Sequence, residues 1–162
     1  MTVLQILQYP DKRLSVPGEK VLKVDEGIKK IIADMFETHY AQKNCAALAA
    51  TQLGISLCIT VIDFSEEKNK PLCLINPEII KREGETNTPE GCMSVSGVHS
   101  KVKRSEKITV EAWNEEGETI VFDADGFMAK CIQHEVDHLN GMVFIRRLSS
   151  VKQKLIDRKF FS

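Results

Sequence analysis

The sequence has no long hydrophobic run, no internal repeat and almost no net charge. The apolar stretch at residues 3–7 is short and follows no basic leader, so neither a secretory signal nor a membrane span is predicted. A net charge of −1 and a pI near 6.4 give the chain no general attraction to nucleic acid. Neither a membrane nor DNA is expected as a partner.

Cysteine is also sparse, and its pattern excludes a disulfide scaffold. The five cysteines are odd in number and lack the spacing of small secreted proteins, which indicates a reducing compartment. We therefore expect a cytoplasmic location. A length of 162 residues with 43% hydrophobic content predicts a single catalytic domain over residues 1–162, with a core that needs no disulfides.

Histidine occurs only four times, yet two of the four stand together as His134 and His138 in the segment H-E-V-D-H. Four residues are close to one helical turn, so both rings lie on one face, about 6 Å apart, and can bind one metal ion. Glu135 is offset from that face and can accept a proton from a water at the metal, which is the arrangement of metal-assisted hydrolysis. A coincidental pair of core histidines is the alternative.

The flanking residues predict a helix over residues 127–139, since Asp-Gly precedes it and Asn-Gly follows it. On this helix Lys130, Gln133 and Asp137 share a polar edge and the remaining surface is largely apolar, so the helix is expected to be central and mostly buried. A buried Glu135 is costly unless a metal and its water contact it.

Two imidazoles leave a catalytic metal one protein ligand short. After His138 the sole His, Cys, Asp or Glu is Asp157, in a basic tail, so the third ligand is expected upstream. Cys131 shares the helix face but lies seven residues before His138, about 10 Å along the axis. Cys58 and Cys73 stand in apolar, strand-like runs and are interpreted as core thiols.

Cys92 is the predicted thiolate ligand, with a buried free thiol as the alternative. It lies in a turn-rich segment where Gly91 allows close approach of the backbone. Downstream, Arg104 is a candidate partner for Glu90 or Asp137, which would support the metal ligands.

The periodicity elsewhere predicts a mixed fold. An N-terminal amphipathic helix is expected over residues 25–42, with His39 as a core histidine, and strands over 57–64, 71–80, 107–113 and 119–124. Short connections favour antiparallel pairing. The expected fold is α+β, with antiparallel sheets packed around a central helix that carries the H-E-V-D-H motif, and a C-terminal helix with Val151 and Leu155 on its inner side.

Three motifs in this order resemble those of the peptide deformylases. Residues 90–94 (E-G-C-M-S) resemble that family's E-G-C-L-S, residues 133–138 (Q-H-E-V-D-H) its Q-H-E-x-D-H, and residues 49–52 (A-A-T-Q) the end of its G-x-G-x-A-A-x-Q. The similarity extends over nearly the whole chain. Three ordered motifs are far more specific than one.

The resemblance implies an enzyme of protein biosynthesis that removes the formyl group from the N-terminal methionine of nascent polypeptides during co-translational processing. It implies one divalent metal, Fe²⁺ in the cell with Zn²⁺ or Ni²⁺ as substitutes. The implied ligands are Cys92, His134 and His138. The implied catalytic groups are Glu135 as general base, and the Gln52 side chain and Met93 N–H as donors to the formyl oxygen.

The first motif departs from the family pattern, because Cys45-Ala46-Ala47 stands where the family has two glycines. In the family this segment pairs with the peptide, so Ala46, Ala47 and Gly91 are expected to contact substrate, and the Cβ of Ala47 to crowd it or shift its register. Two other functions stay open: a metal-binding module with impaired turnover that binds N-blocked peptides, and a general metallopeptidase.

The C-terminal segment is basic. Its six cations face one acid, Asp157; they are Arg146, Arg147, Lys152, Lys154, Arg158 and Lys159. A basic terminal helix on an enzyme of nascent chains can contact ribosomal RNA transiently through phosphate attraction. A solvated helix face is the alternative.

Overall fold

The computed structural model describes residues 2–161 of the chain. Its helices are α1 (Glu26–Ala41), α2 (Gly126–Leu139) and α3 (Ser150–Ile156). Its strands are β1 (Ala47–Ala49), β2 (Ile59–Ile62), β3 (Leu72–Glu83), β4 (Thr86–Cys92), β5 (Val95–Arg104), β6 (Lys107–Trp113) and β7 (Thr119–Asp125). Short 3₁₀ turns at Lys12–Ser15, Ala50–Leu53 and Phe144–Arg147 join these elements.

The strands form two antiparallel sheets. Five strands pair in the order β1-β2-β3-β6-β7, and β4 pairs with β5 as a separate hairpin. The predicted α+β class with antiparallel sheets is confirmed. Because β1 ends the larger sheet, one of its edges has no strand partner among residues 2–161.

Three apolar clusters hold these layers together. Ile32 and Met35 of α1 pack in one cluster with residues of β1 and β2, and Ala129 and Ile132 of α2 pack in another with residues of β2, β3, β6 and β7. In the third, Val98 of β5 and its neighbours pack against the 3₁₀ turn Phe144–Arg147. Helix α2 therefore lies on the large sheet, and the hairpin is covered by the chain that follows α2.

Local sequence explains where the first long helix begins. The side chain of Asp25 accepts a hydrogen bond from the Ile28 amide at 2.9 Å, which caps the first turn of α1. His39 is 2% exposed, so its interpretation as a core histidine is confirmed.

The C-terminal helix differs from the prediction. Helix α3 spans seven residues and is followed by a π-helical turn, Asp157–Phe161. Val151 and Leu155 are exposed, so their predicted placement on the inner side is wrong. The packing residues are Ile156 and Phe161 instead, which contact the cluster beneath the hairpin. Within residues 2–161, no helix has the length and apolar character that crossing a membrane requires.

Candidate active site

Three potential metal ligands converge where the hairpin meets α2. The ligand atoms of Cys92, His134 and His138 all lie within 4.8 Å of one another. The Sγ of Cys92 is 3.2 Å from Nε2 of His138, which is 3.2 Å from Nε2 of His134. The structure thus brings together the three residues that sequence reasoning selected for a metal.

Two different elements supply these atoms. The four-residue spacing on α2 puts both imidazoles on one face, with ring centroids 4.9 Å apart. Cys92 ends β4, and the turn into β5 brings the Ser94 amide to within 3.4 Å of its sulfur, where the N–H donates to Sγ.

The orientation of His134 is set by a carboxylate. Its Nδ1 donates to Oε1 of Glu90 at 2.9 Å, so the lone pair is on Nε2, which faces the cluster. Burial alone would raise the pKa of Glu90, but hydrogen bonds from Arg104 and His134 lower it to about 2. A charged Glu90 therefore fixes the tautomer that ligation requires.

Behind these ligands lies a buried ion-pair network. Arg104 donates to both oxygens of Glu90, at 2.8 and 2.9 Å, and to Asp137 at 2.6 Å. Arg147 donates to Asp137 at 2.6 and 3.0 Å. The suggested pairing of Arg104 with Glu90 or Asp137 is observed for both acids at once.

The three residues of the predicted polar edge of α2 differ in their burial. Asp137 and Gln133 are buried, and Gln133 bonds to both backbone groups of Ser105. Helical periodicity identifies polar positions but not the partner that lets them be buried. Eight of the 14 residues of α2 are buried, in line with the prediction of a mostly buried helix. Phe127 is the exception among its large apolar residues, because it is 48% exposed.

Glu135 occupies the position expected of a base beside the ligands. It is 3% exposed, and its Oε2 has no hydrogen-bond partner among residues 2–161. Burial raises its pKa to about 7. An unpartnered buried carboxylate is costly, so this atom indicates a group that the protein itself does not supply. A divalent cation with its solvent fits that requirement, and one thiolate with two imidazoles is a suitable donor set.

Gln52 is held rigidly beside the cluster. Its Oε1 accepts from the Ala49 amide at 2.9 Å, which fixes the amide plane, and its Nε2 lies 3.6 Å from Sγ of Cys92 and 3.1 Å from Oγ of Ser94. The side-chain N–H donors therefore face the ligand cluster. Sequence reasoning missed Ser94 as a partner of Gln52, because the two are far apart in the chain.

A cavity of about 440 Å³ opens next to the cluster. Ala46 and Ala47, at the free edge of β1, form part of its wall, and Gly91 and Met93 of the hairpin form another part. All six predicted catalytic and substrate-contact positions thus line one cavity: Gln52, Met93, Glu135, Ala46, Ala47 and Gly91. Phe127 and Lys130 of α2 also line it.

Gly91 fits closely against a neighbouring ring. A Cβ at this position would lie 2.7 Å from Cδ2 and from Nε2 of His99, which also lines the cavity. A glycine here therefore lets the His99 ring lie directly against the backbone of β4.

A family model for polypeptide deformylases matches residues 3–154 of the chain. The chain belongs to this family. It is 56% identical over 160 residues to peptide deformylase 1 of Coxiella burnetii, covering 97% of this chain and 94% of that protein. It is 48% identical over 159 residues to a peptide deformylase of Neisseria meningitidis, covering 98% and 95% of the two chains.

Solved deformylase structures have the same fold. A crystal structure of a peptide deformylase from Legionella pneumophila superposes with a TM-score of 0.92 at 39% identity, covering 98% of this chain and 93% of that one. The Ehrlichia chaffeensis enzyme in complex with actinonin gives 0.89 at 38% identity, with both chains fully covered. The chain is therefore an amide hydrolase of the deformylase family, and the predicted family and enzyme class are confirmed.

Proposed function

We propose that this chain hydrolyses the formyl amide at the N-terminal methionine of newly synthesised polypeptides and releases formate. The observation that carries this proposal is the convergence of Cys92, His134 and His138 beside the buried, unpartnered Glu135. The other residues that line the cavity are each proposed to have a separate role in the reaction.

Cys92, His134 and His138 are the proposed ligands of one divalent ion. We propose Fe²⁺ in the cell, with Zn²⁺ or Ni²⁺ as working substitutes, because a donor set of one sulfur and two nitrogens accepts all three. When bound, the ion supplies Lewis acidity, which lowers the pKa of water and polarises a carbonyl. Glu90 keeps His134 in the ligating tautomer throughout.

The peptide is proposed to lie against the free edge of β1. Ala46 already accepts a hydrogen bond from the Asp63 amide, so the inner edge of this segment is used within the sheet. The outer edge faces the cavity and can pair with an extended peptide backbone at Ala46 and Ala47. Gly91, across the cavity, leaves room for that backbone.

In the reaction, Glu135 accepts a proton from the water that attacks the formyl carbon, and delivers it to the departing amine nitrogen. The Nε2–H of Gln52 and the N–H of Met93 donate to the formyl oxygen as it gains negative charge. Each such donor typically stabilises the transition state by about 2.7–4 kcal/mol. The products are formate and a peptide with a free N-terminus.

Formate release from a formyl-methionyl peptide tests this function, with Glu135→Gln as the matched variant. We expect the variant to retain zinc while its kcat falls at least about 100-fold, as for loss of a general base. Wild-type protein with a full complement of metal that binds the peptide but releases no formate would instead be a binding module. Cleavage of an unformylated internal peptide bond would indicate a metallopeptidase.

We further propose that residues 1–162 act as one catalytic domain in the cytoplasm. Free thiols at all five cysteines suit a reducing compartment. We also propose a transient ribosome contact through α3, where exposed Lys152 and Lys154 stand beside exposed Val151 and Leu155.

Co-sedimentation with ribosomes at rising salt tests the ribosome contact. The double variant Lys152→Glu/Lys154→Glu should lose binding and its salt dependence. Lys20→Glu/Lys23→Glu, with the same charge change at exposed positions elsewhere, should bind like wild type. Equal loss in both would mean that the attraction is general rather than located on α3.

A further inference from the structure

Cys45 lies where the substrate cavity meets a second cavity. The second cavity measures about 300 Å³ and is lined by residues of α1 and of the loop after β2, including His39, Tyr40 and Asp63. Asn44, Cys45 and Ala46 line both cavities. Cys45 is half-buried and forms part of the wall of each cavity.

This thiol is paired with an oriented imidazole. The Sγ of Cys45 is 3.2 Å from Nδ1 of His39, and Nε2 of the same ring is 2.9 Å from the backbone oxygen of Asp63. A carbonyl oxygen only accepts, so Nε2 carries the proton and Nδ1 has a free lone pair. The backbone oxygen of Ala47 lies 3.5 Å from the same sulfur and is a second acceptor for the thiol proton. The shorter contact, to Nδ1 of His39, puts the imidazole within reach of that proton.

The other cysteines have different surroundings. Cys58 donates to the Gly18 carbonyl at 3.3 Å, Cys73 and Cys131 are buried, and Cys92 belongs to the metal cluster. Cys45 combines partial exposure, a neighbouring cavity and a base. A thiol within hydrogen-bond reach of a base is the arrangement by which proteins activate a cysteine nucleophile.

We propose that Cys45 is a site of reversible thiol–disulfide exchange with low-molecular-weight disulfides, and that the resulting mixed disulfide closes the substrate cavity. The second cavity would accommodate the incoming disulfide. The functional consequence rests on the deformylase activity proposed above. A group attached at Cys45 stands directly beside Ala46, where the peptide is proposed to pair.

The exchange is a two-electron transfer between sulfurs. His39 Nδ1 takes the thiol proton as Sγ of Cys45 attacks one sulfur of the disulfide; a new Sγ–S bond forms and the original S–S bond breaks. The leaving thiolate takes the proton from His39 and departs as a thiol. Cys45 is oxidised and one half of the reagent is reduced.

The surroundings of the pair explain why a base is needed. Burial raises the pKa of Cys45 to about 12, so the resting group is a thiol rather than a thiolate. Burial also lowers the pKa of His39, so its ring is neutral near pH 7 and free to accept a proton. Both shifts oppose proton transfer from sulfur to nitrogen in the resting pair, so exchange at Cys45 is expected to be slow, and slower still without the imidazole.

The test uses the full chain loaded with zinc, because this metal has no redox chemistry of its own. After incubation with oxidised glutathione, intact mass and peptide mapping locate the adduct, while formate release and zinc content are measured in parallel. We expect one adduct, on Cys45, with formate release lost in proportion to the modified fraction. Zinc should be retained, and a reducing agent should restore activity.

Three variants isolate the parts of the proposal. Cys45→Ser should form no adduct and keep its own untreated rate after incubation, whereas the control Cys58→Ser should be modified and inhibited like wild type. His39→Gln retains an amide donor toward the Asp63 carbonyl but has no base at Nδ1, so adduct formation should slow at least about tenfold.

The proposal is overturned if Cys45 stays unmodified, or if its adduct leaves formate release unchanged. It is also overturned if inhibition follows modification of Cys92 and release of zinc. Failure of the deformylase assignment is distinguishable, because untreated zinc protein would then release no formate. The mapped adduct and the His39→Gln rate would still decide whether the pair undergoes exchange.

Discussion

Replacing Arg104 with Met should remove the ion pairs that link the hairpin to α2, while the unbranched aliphatic part of the side chain is kept. The guanidinium is 5% exposed and makes three hydrogen bonds, two to Glu90 and one to Asp137. After the change, Asp137 keeps both hydrogen bonds from Arg147. The loss therefore falls mainly on Glu90, which keeps its hydrogen bond to His134.

The size of the effect follows from burial. Removing one partner of a buried pair typically costs about 3–5 kcal/mol, a large part of the 5–15 kcal/mol that stabilises an average domain. Arg147→Met is the matched control, because that side chain is 44% exposed and Asp137 would keep Arg104. Its loss should be at most about 1 kcal/mol, as for a partly exposed pair.

Two assays measure the consequences separately. Urea unfolding of the metal-free proteins gives the change in the free energy of unfolding without a contribution from metal binding. Zinc competition against a chelator should show affinity about 10- to 100-fold weaker in Arg104→Met, because Glu90 then orients His134 less firmly. If Arg104→Met costs no more than Arg147→Met, the network does not join the hairpin to α2.

Three further changes test the cavity, a turn and the metal. Gly91→Ala should lower kcat/KM for a formylated peptide by about tenfold, because its Cβ displaces the His99 ring at 2.7 Å; adding His99→Ala should restore part of the rate. Gly141→Ala should lower the free energy of unfolding, measured in urea, by at least about 1 kcal/mol more than Gly97→Ala. Both glycines have positive φ, but a Cβ at Gly141 would lie 2.6 Å from the backbone oxygen of Ser15, whereas a Cβ at Gly97 would have no atom within 4 Å. Chelation of the zinc protein should lower the free energy of unfolding by about 2.7 kcal/mol at a metal concentration 100 times Kd, and re-addition of zinc should reverse it.

The histidine pair of the metal cluster was predictable because its geometry is local. Helical spacing alone puts His134 and His138 on one face, and the absence of other ligands downstream directs attention to the cysteines. Strongly periodic strands such as β6 and β7 were predicted within a residue or so of their observed bounds. For the two histidines and for these strands, the decisive pattern lies within one short stretch of the chain.

The hairpin β4–β5 was not predicted, and the reason is physical. Pro89, Gly91 and Gly97 interrupt the alternation that indicates a strand, and the segment contains polar and charged residues on both sides of Cys92. These residues form strands because β5 packs on the chain after α2 and Glu90 meets Arg104 across the ladder. Neither contact can be read from a short window, so Cys92 was assigned to a turn-rich segment when it ends β4.

The separation of ligands between two elements explains why the ion-pair network is needed at all. Helix α2 carries one thiol, Cys131, but seven residues before His138 it lies outside the cluster, so one helix offers no complete site. The sulfur must come from the hairpin, whose position relative to α2 has to be fixed before a metal arrives. Glu90 is two residues from Cys92 on the same strand and bonds at once to His134 and to Arg104, which in turn bonds to Asp137. One carboxylate thus sets the tautomer of a ligand from α2 and anchors the strand that carries the sulfur, so affinity for the metal and docking of the hairpin depend on the same buried charge.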